Sequence, residues 1–206
     1  MIKVKYLLVI IMRTAEIVRK TKETDIKALV NLDGSGNYDI DTGIPFLDHM
    51  LEQLSKHSLV DISLIAKGDI HIDFHHTCED IGIVLGMAFN KALGDRCGIT
   101  RFAHSYIPMD DVLTLVAVDI SGRPALVFDV DFLSPLVGNM DVELFREWFN
   151  AFAGSLKANI HVKNCYGVNN HHKIESCYKG LALSLRKAFS VDERQKGSIP
   201  STKGSI

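Results

Sequence analysis

Two short stretches carry the same group of reactive side chains. "DFHHTCED" (73–80) holds His75, His76 and Glu79, and "NNHHKIES" (169–176) holds His171, His172 and Glu175. Imidazole and carboxylate groups at such spacing are ligands for divalent transition metals. On a helix, His75 and Glu79 share a face as i,i+4 neighbours. His76 points about 100° away from them. Adjacent histidines of this kind suit two different ions rather than one, and the second copy of the motif supplies the complement.

A crosswise pairing then assigns His75, Glu79 and His172 to one site, and His171, Glu175 and His76 to the other. Each needs a further ligand. Glu147 in "REWF" is the candidate for the first site and His49 in "LDHM" for the second. Mixed nitrogen and oxygen ligation favours Mn²⁺, Fe²⁺ or Zn²⁺ over a thiolate-rich structural zinc site. Cys78, inside the first motif, reads as a half-buried thiol.

Other groups suit an anion. Arg123 follows the turn in "ISGRP", and Arg101 opens the second half of the chain. "PSTKG" (200–204) offers Ser201, Thr202 and Lys203, a run that can hold phosphate through side chains and backbone N–H groups. Glu23, in "TKET", lies beside a strand end.

These groups need a scaffold that presents them twice. "ALVNLDGSG" (28–36) and "TLVAVDISG" (114–122) match at Leu, Val, Asp, Ser and Gly, each reading as an alternating strand that runs into a Ser-Gly turn. The chain is expected to be a duplicated unit with its boundary near 97–105. In the first unit, strands are expected over 13–21, 25–32, 36–41 and 60–68. Helices are expected over 44–58 and 78–95, the latter opened by acids that suit the helix dipole. The second unit is expected to repeat this, with a helix over 141–156, a strand over 158–167 and a helix over 173–190. The fold class is α+β: two split-βαβ units with helices packed on one face of each sheet. The units span 12–99 and 100–192, followed by a substrate-binding tail over 193–206.

The 206 residues are 47 % apolar, enough for a sizeable core, and the net charge is −2. No global basic field points to nucleic acid. Four scattered cysteines without a CxxC pair read as a reduced, intracellular protein. The apolar run Tyr6–Met12 is too short to span a bilayer. Residues 1–11 are expected either to precede the natural start at Met12 or to extend the first strand.

"GIPFLDHML", "DFHHTCEDIG", "PMDD", "DISGRP", "NNHHKIES" with "YKGLALSLRKA", and "PSTKG" stand in the order found in imidazoleglycerol-phosphate dehydratases. The chain resembles that family from Met12 to Gly204. The resemblance implies a cytoplasmic hydro-lyase of histidine biosynthesis. It would convert D-erythro-imidazole-glycerol phosphate to imidazole-acetol phosphate and water. It also implies two Mn²⁺ per active site, units like the second domain of ribosomal protein S5, and a 24-subunit homo-oligomer built from trimers, in which crosswise ligands come from neighbouring chains. The substrate ring would sit as an imidazolate between the two ions, and the hydroxyl would leave through a diazafulvene-like intermediate. Glu23 would be the acid/base. Arg101, Arg123, Lys179, Ser201, Thr202 and Lys203 would hold the phosphate, with Gln53 and His57 lining the site. At Glu147 many members of the family carry His instead.

Two other functions use the same residues. A dinuclear metal hydrolase would need a water-accessible centre, and has no use for the Ser-Thr-Lys run. A non-enzymatic reading is a metal-assembled shell or an S5-like RNA-binding module, which a retention assay in salt would decide. The absence of net positive charge argues against RNA.

Overall fold

The computed structural model describes residues 12–206. The expectations for residues 1–11 lie outside the described residues. Strand β1 (Thr14–Lys20) pairs antiparallel with β2 (Thr24–Asn31), and β2 with β4 (Asp61–Gly68), while β3 (Tyr38–Asp41) lies parallel to β4. The period-2 pattern of β2 is explicit: Thr24, Ile26, Ala28 and Val30 are buried while Lys27 and Leu29 face out. Helices α1 (Pro45–Ser58) and α2 (His75–Leu93) complete the first unit.

The second unit repeats the plan. Its strands are β5 (Phe102–Met109), β6 (Val112–Asp119), β7 (Ala125–Asp129) and β10 (Asn159–Tyr166), and its helices α3 (Glu143–Leu156) and α4 (Asn170–Phe189). The sheet orders β1-β2-β4-β3 and β5-β6-β10-β7 are identical, down to the single parallel pair at one edge. The repeated Ser-Gly turns end in Gly36 (φ 79°) and Gly122 (φ 77°), where a side chain would strain the left-handed backbone. A short hairpin, β8 (Leu136–Val137) and β9 (Met140–Asp141), is an insertion without a counterpart in the first unit.

The helices join the two units. α2 packs against α3, and α1 against α4. The α2–α3 contact is close because glycines face it. A Cβ on Gly82 would stand 2.7 Å from the carbonyl oxygen of Trp148, and one on Gly86 2.6 Å from that of Phe152. One continuous apolar core runs through both units. Trp148 stacks on Phe152 with centroids 5.0 Å apart and meets Tyr178 at 4.8 Å. Burying each such side chain is worth about 1.5–3 kcal/mol.

Two helix starts lie three residues from the sequence expectation, while α1 and α3 begin within two residues of it. α2 begins at His75 rather than 78, and α4 at Asn170 rather than 173. At each start an upstream polar side chain accepts a first-turn N–H. Asp73 Oδ1 accepts the His75 N–H at 2.8 Å, and Asn169 Oδ1 accepts the His172 N–H at 3.2 Å. The histidine pairs therefore occupy first turns. The acids expected to open α2 do not: its first turn contains none.

Candidate metal centre and anion cleft

α1 and α4 bring His49, His171 and Glu175 together, with one donor atom from each within 4.8 Å of the others. His171 Nε2 lies 2.9 Å from Glu175 Oε2, its neighbour one turn along α4. His49 Nε2 reaches the same oxygen at 3.5 Å from α1. The Phe46 and His171 rings meet edge to face, with centroids 5.2 Å apart. The Glu175 carboxyl is 8 % exposed. Burial alone would raise its pKa, but the hydrogen bond and charge of Lys179, at 2.8 Å, outweigh burial and hold it below the usual range. Two imidazole nitrogens and an ionised carboxylate converging with one side open fit a divalent first-row ion that still needs other ligands.

The other motif residues stand elsewhere. His75 and Glu79 lie on α2, and Glu147 on α3, the helix packed against it. Cys78, between them, is fully buried rather than half-buried: its thiol donates to the Leu144 carbonyl at 3.5 Å, and burial, then the charges of Glu147 and Glu79, push its pKa up. α2 turns this face into the close contact with α3, which the local sequence does not reveal. His76 and His172 do not reach the cluster on α1 and α4. His76 Nδ1 meets Asp69 Oδ2 at 2.9 Å, and its Nε2 faces Glu23 Oε1 at 3.9 Å. His172 Nδ1 meets Asp111 Oδ1 at 3.1 Å, and its Nε2 faces Asp110 Oδ2 at 3.5 Å. Among the described residues of one chain, then, the crosswise partners stay apart.

The anion groups separate into two sets. Arg101, Arg123, Ser201, Thr202 and Lys203 line one cleft of about 630 Å³. Arg101 builds it: its Nη1 donates to the Pro200 carbonyl at 2.7 Å and its Nε to Asp119 Oδ1 at 2.7 Å, so the C-terminal segment folds over the β5–β6 edge. Lys179, Gln53 and His57 are not part of that cleft. They follow the α1–α4 seam beyond the three-residue cluster, with His57 Nε2 and Gln53 Oε1 3.2 Å apart. Burial, then the Lys179 charge, lowers the His57 pKa.

Residues 42–185 match the family model for imidazoleglycerol-phosphate dehydratase. The chain belongs to the imidazoleglycerol-phosphate dehydratase family. A dehydratase of this name from Nitrobacter hamburgensis is 56 % identical over 195 residues, 95 % of this chain and 99 % of the relative. One from Methylobacterium radiotolerans is 57 % identical over 195 residues, covering 95 % and 100 %. The crystal structure of the Staphylococcus aureus enzyme superposes with a TM-score of 0.80 at 34 % identity, over 87 % of this chain and 99 % of that one. That of Pyrococcus furiosus also gives 0.80, at 37 % identity over 92 % and 100 %. The reaction is therefore that of a hydro-lyase of histidine biosynthesis acting on a small phosphate ester.

Three acids outside the expected site also face the motif histidines. Asp69 lies in the loop before α2, and Asp110 and Asp111 form the β5–β6 turn. Only "PMDD" gave a signal, as a motif without a role. Its turn occupies the place in the second unit that the Glu23 turn holds in the first, between the two leading strands of the sheet. Both turns face the second histidine of their unit's motif. Asp111 also accepts the Val168 N–H at 2.8 Å. That bond, then the one from His172, brings its pKa down to about 2.

Proposed function

We propose that the chain carries out the family reaction on D-erythro-imidazole-glycerol phosphate, giving imidazole-acetol phosphate and water, with two Mn²⁺ ions as its cofactors. The observation that carries this reading is the convergence of His49, His171 and Glu175, together with a separate arginine- and lysine-lined cleft. A substrate with an imidazole at one end and a phosphate at the other needs both. One ion would be held by His49, His171 and Glu175 with His76, and the other by His75, Glu79 and Glu147 with His172. His76 and His172 would come from neighbouring chains of a 24-subunit particle built from trimers. When bound, the ions supply the Lewis acidity that stabilises negative charge on the ring.

The chain's own groups do the rest. Comparison of substrate and product shows that the hydroxyl leaves the carbon beside the ring and the proton leaves the next carbon; the resulting enol becomes the ketone. Glu23 would carry that proton, and its carboxylate lies 3.9 Å from His76 Nε2. Arg101, Arg123, Ser201, Thr202 and Lys203 take the phosphate by charge-assisted hydrogen bonds, which fix the ring remotely. Gln53, His57 and Lys179 line the far side of the metal cluster, where Lys179 keeps Glu175 ionised. The chain divides into units 12–99 and 100–192 and a binding tail, 193–206. The enzyme is cytoplasmic, and among the described residues no helix is long and apolar enough to cross a membrane. The test is incubation of the purified protein with imidazole-glycerol phosphate, with Mn²⁺ or after chelation. Ketone should form only with metal; its absence from metal-loaded protein refutes the reading.

A further inference from the structure

We propose that Asp69 and Asp111 are positioning residues that each hold the Nδ1–H of a motif's second histidine and thereby present Nε2 as the metal-binding nitrogen. This rests on the metal reading above and extends it to two acids outside the ligand set. An ionised carboxylate only accepts hydrogen bonds. Its approach to His76 Nδ1 at 2.9 Å, and to His172 Nδ1 at 3.1 Å, therefore places the proton on Nδ1 in both rings. In the neutral ring the lone pair is then left on Nε2.

The arrangement arises twice from unrelated places in the fold. Asp69 comes from the loop between β4 and α2, and Asp111 from the turn between β5 and β6. These positions are not related by the internal repeat, yet each acid meets the same nitrogen of the equivalent histidine. Both acids are themselves anchored. The Asp69 N–H donates to the Glu23 carbonyl at 3.1 Å, and the Asp69 side chain is only 14 % exposed. Asp111 Oδ2 accepts the Val168 N–H, which ties the β5–β6 turn to the segment leading into α4. Neither Nε2 has a partner closer than 3.5 Å among the described residues. The first histidine of the second motif is used differently: His171 turns Nε2 inward to Glu175 of its own helix. The second histidines are thus fixed at Nδ1 and open at Nε2, the state a ligand needs when its metal lies outside the chain. Carboxylates that hold a ligating imidazole in this way commonly contribute 10–100-fold to metal affinity.

The experiment measures Mn²⁺ binding to the whole protein after chelation, for wild type, Asp69→Asn, Asp111→Asn, His76→Ala and His172→Ala. Melting of each metal-free variant is recorded beside it. Both histidine variants should lose one class of Mn²⁺ site. Each Asn variant should bind that class roughly 10–100-fold more weakly while the metal-free protein melts as wild type does. Wild-type Mn²⁺ affinity in both Asn variants, with metal lost in the histidine variants, overturns the positioning role and leaves the metal sites standing. Full metal retention in the histidine variants overturns the metal reading itself, and this proposal with it. Weakened binding that follows a lowered melting temperature in Asp69→Asn and Asp111→Asn, and in the corresponding alanine variants, assigns the acids to loop structure and also overturns the proposal.

Discussion

His49 and Glu147 occupy equivalent places: each is the fifth residue of a 14-residue helix that ends in a left-handed cap, at Leu59 or Lys157. Each of those helices packs on one that carries a His-His-x-x-Glu motif. In the proposed assignment the repeat would therefore offer an imidazole, His49, to one ion and a carboxylate, Glu147, to the other. Imidazole suits zinc and later metals, and carboxylate suits manganese.

Glu147→His should accordingly make the two sites alike. In competitive loading, Zn²⁺ should gain over Mn²⁺ at one of the two sites by on the order of tenfold. Elemental analysis of protein equilibrated with both metals measures this. An unchanged Mn²⁺:Zn²⁺ ratio removes Glu147 from the ligand set.

The separation of His76 from the cluster of His49, His171 and Glu175 leads to a second expectation. His76→Ala and His171→Ala should each lose activity and a similar share of bound Mn²⁺, and the double variant should be little worse. Chelation should dissociate the particle, and Mn²⁺ should restore it, followed by sedimentation. If the two single variants are mixed while dissociated and then reassembled with Mn²⁺, activity should return. The expected recovery is roughly a quarter, the chance that a shared site draws both intact contributors in a symmetric assembly. No recovery would mean that His76 and His171 do not meet across chains.

Much of this was legible beforehand, for identifiable reasons. The duplication shows in the sequence because alternation and the Gly36 and Gly122 turns are local properties. His171 and Glu175 meet because helical spacing alone brings them together. The starts of α2 and α4 lie ahead of their apolar stripes, where Asp73 and Asn169 accept first-turn N–H groups. The full burial of Cys78 is not legible locally because it depends on α3, far along the chain. Asp111 lies 61 residues from His172, and no periodicity links a turn acid to a helix start at that distance. The family resemblance implies a phosphate role for Lys179, whereas within one chain it pairs with Glu175.

Gly86 tests the joint between the units. Replacing it with valine would drive side-chain carbons into the Phe152 carbonyl, 2.6 Å from the Cβ position. We expect a loss of about 1–3 kcal/mol from overpacking, read by denaturant unfolding of the metal-free protein. Unchanged stability would mean that α2 and α3 are not packed this closely.

Asp61 gives a pH signature away from the metal residues. Burial acts to raise its pKa, but the N–H groups of Asn37 and Ser35, at 2.8 and 2.9 Å, outweigh burial and lower it. A carboxyl with a depressed folded pKa stabilises the fold above its unfolded pKa of about 4, and the effect fades as pH falls through the lower folded value. Asp61→Asn should therefore be less stable than wild type near pH 7, with the gap closing toward pH 3. A gap that stays constant in unfolding of the metal-free proteins would rule out the charge as its source.

Glu23 separates chemistry from architecture. Its carboxylate is half-exposed in the β1–β2 turn, while the turn is held by backbone contacts: the Thr21 hydroxyl oxygen accepts the Glu23 N–H, and the Glu23 carbonyl accepts the Asp69 N–H. Glu23→Gln should therefore keep the fold, both metals and the assembled particle. Substrate should still bind, because ring and phosphate contacts lie on other residues. Turnover should fall by roughly 10²–10⁴, the usual contribution of a positioned acid or base. The measurement is kcat with bound Mn²⁺ quantified in the same sample. Low turnover with low metal would make Glu23 a ligand or a support for His76. Near-normal turnover at full occupancy would move proton transfer to another group, and His57, whose lowered pKa leaves it neutral near pH 7, is then the first to mutate.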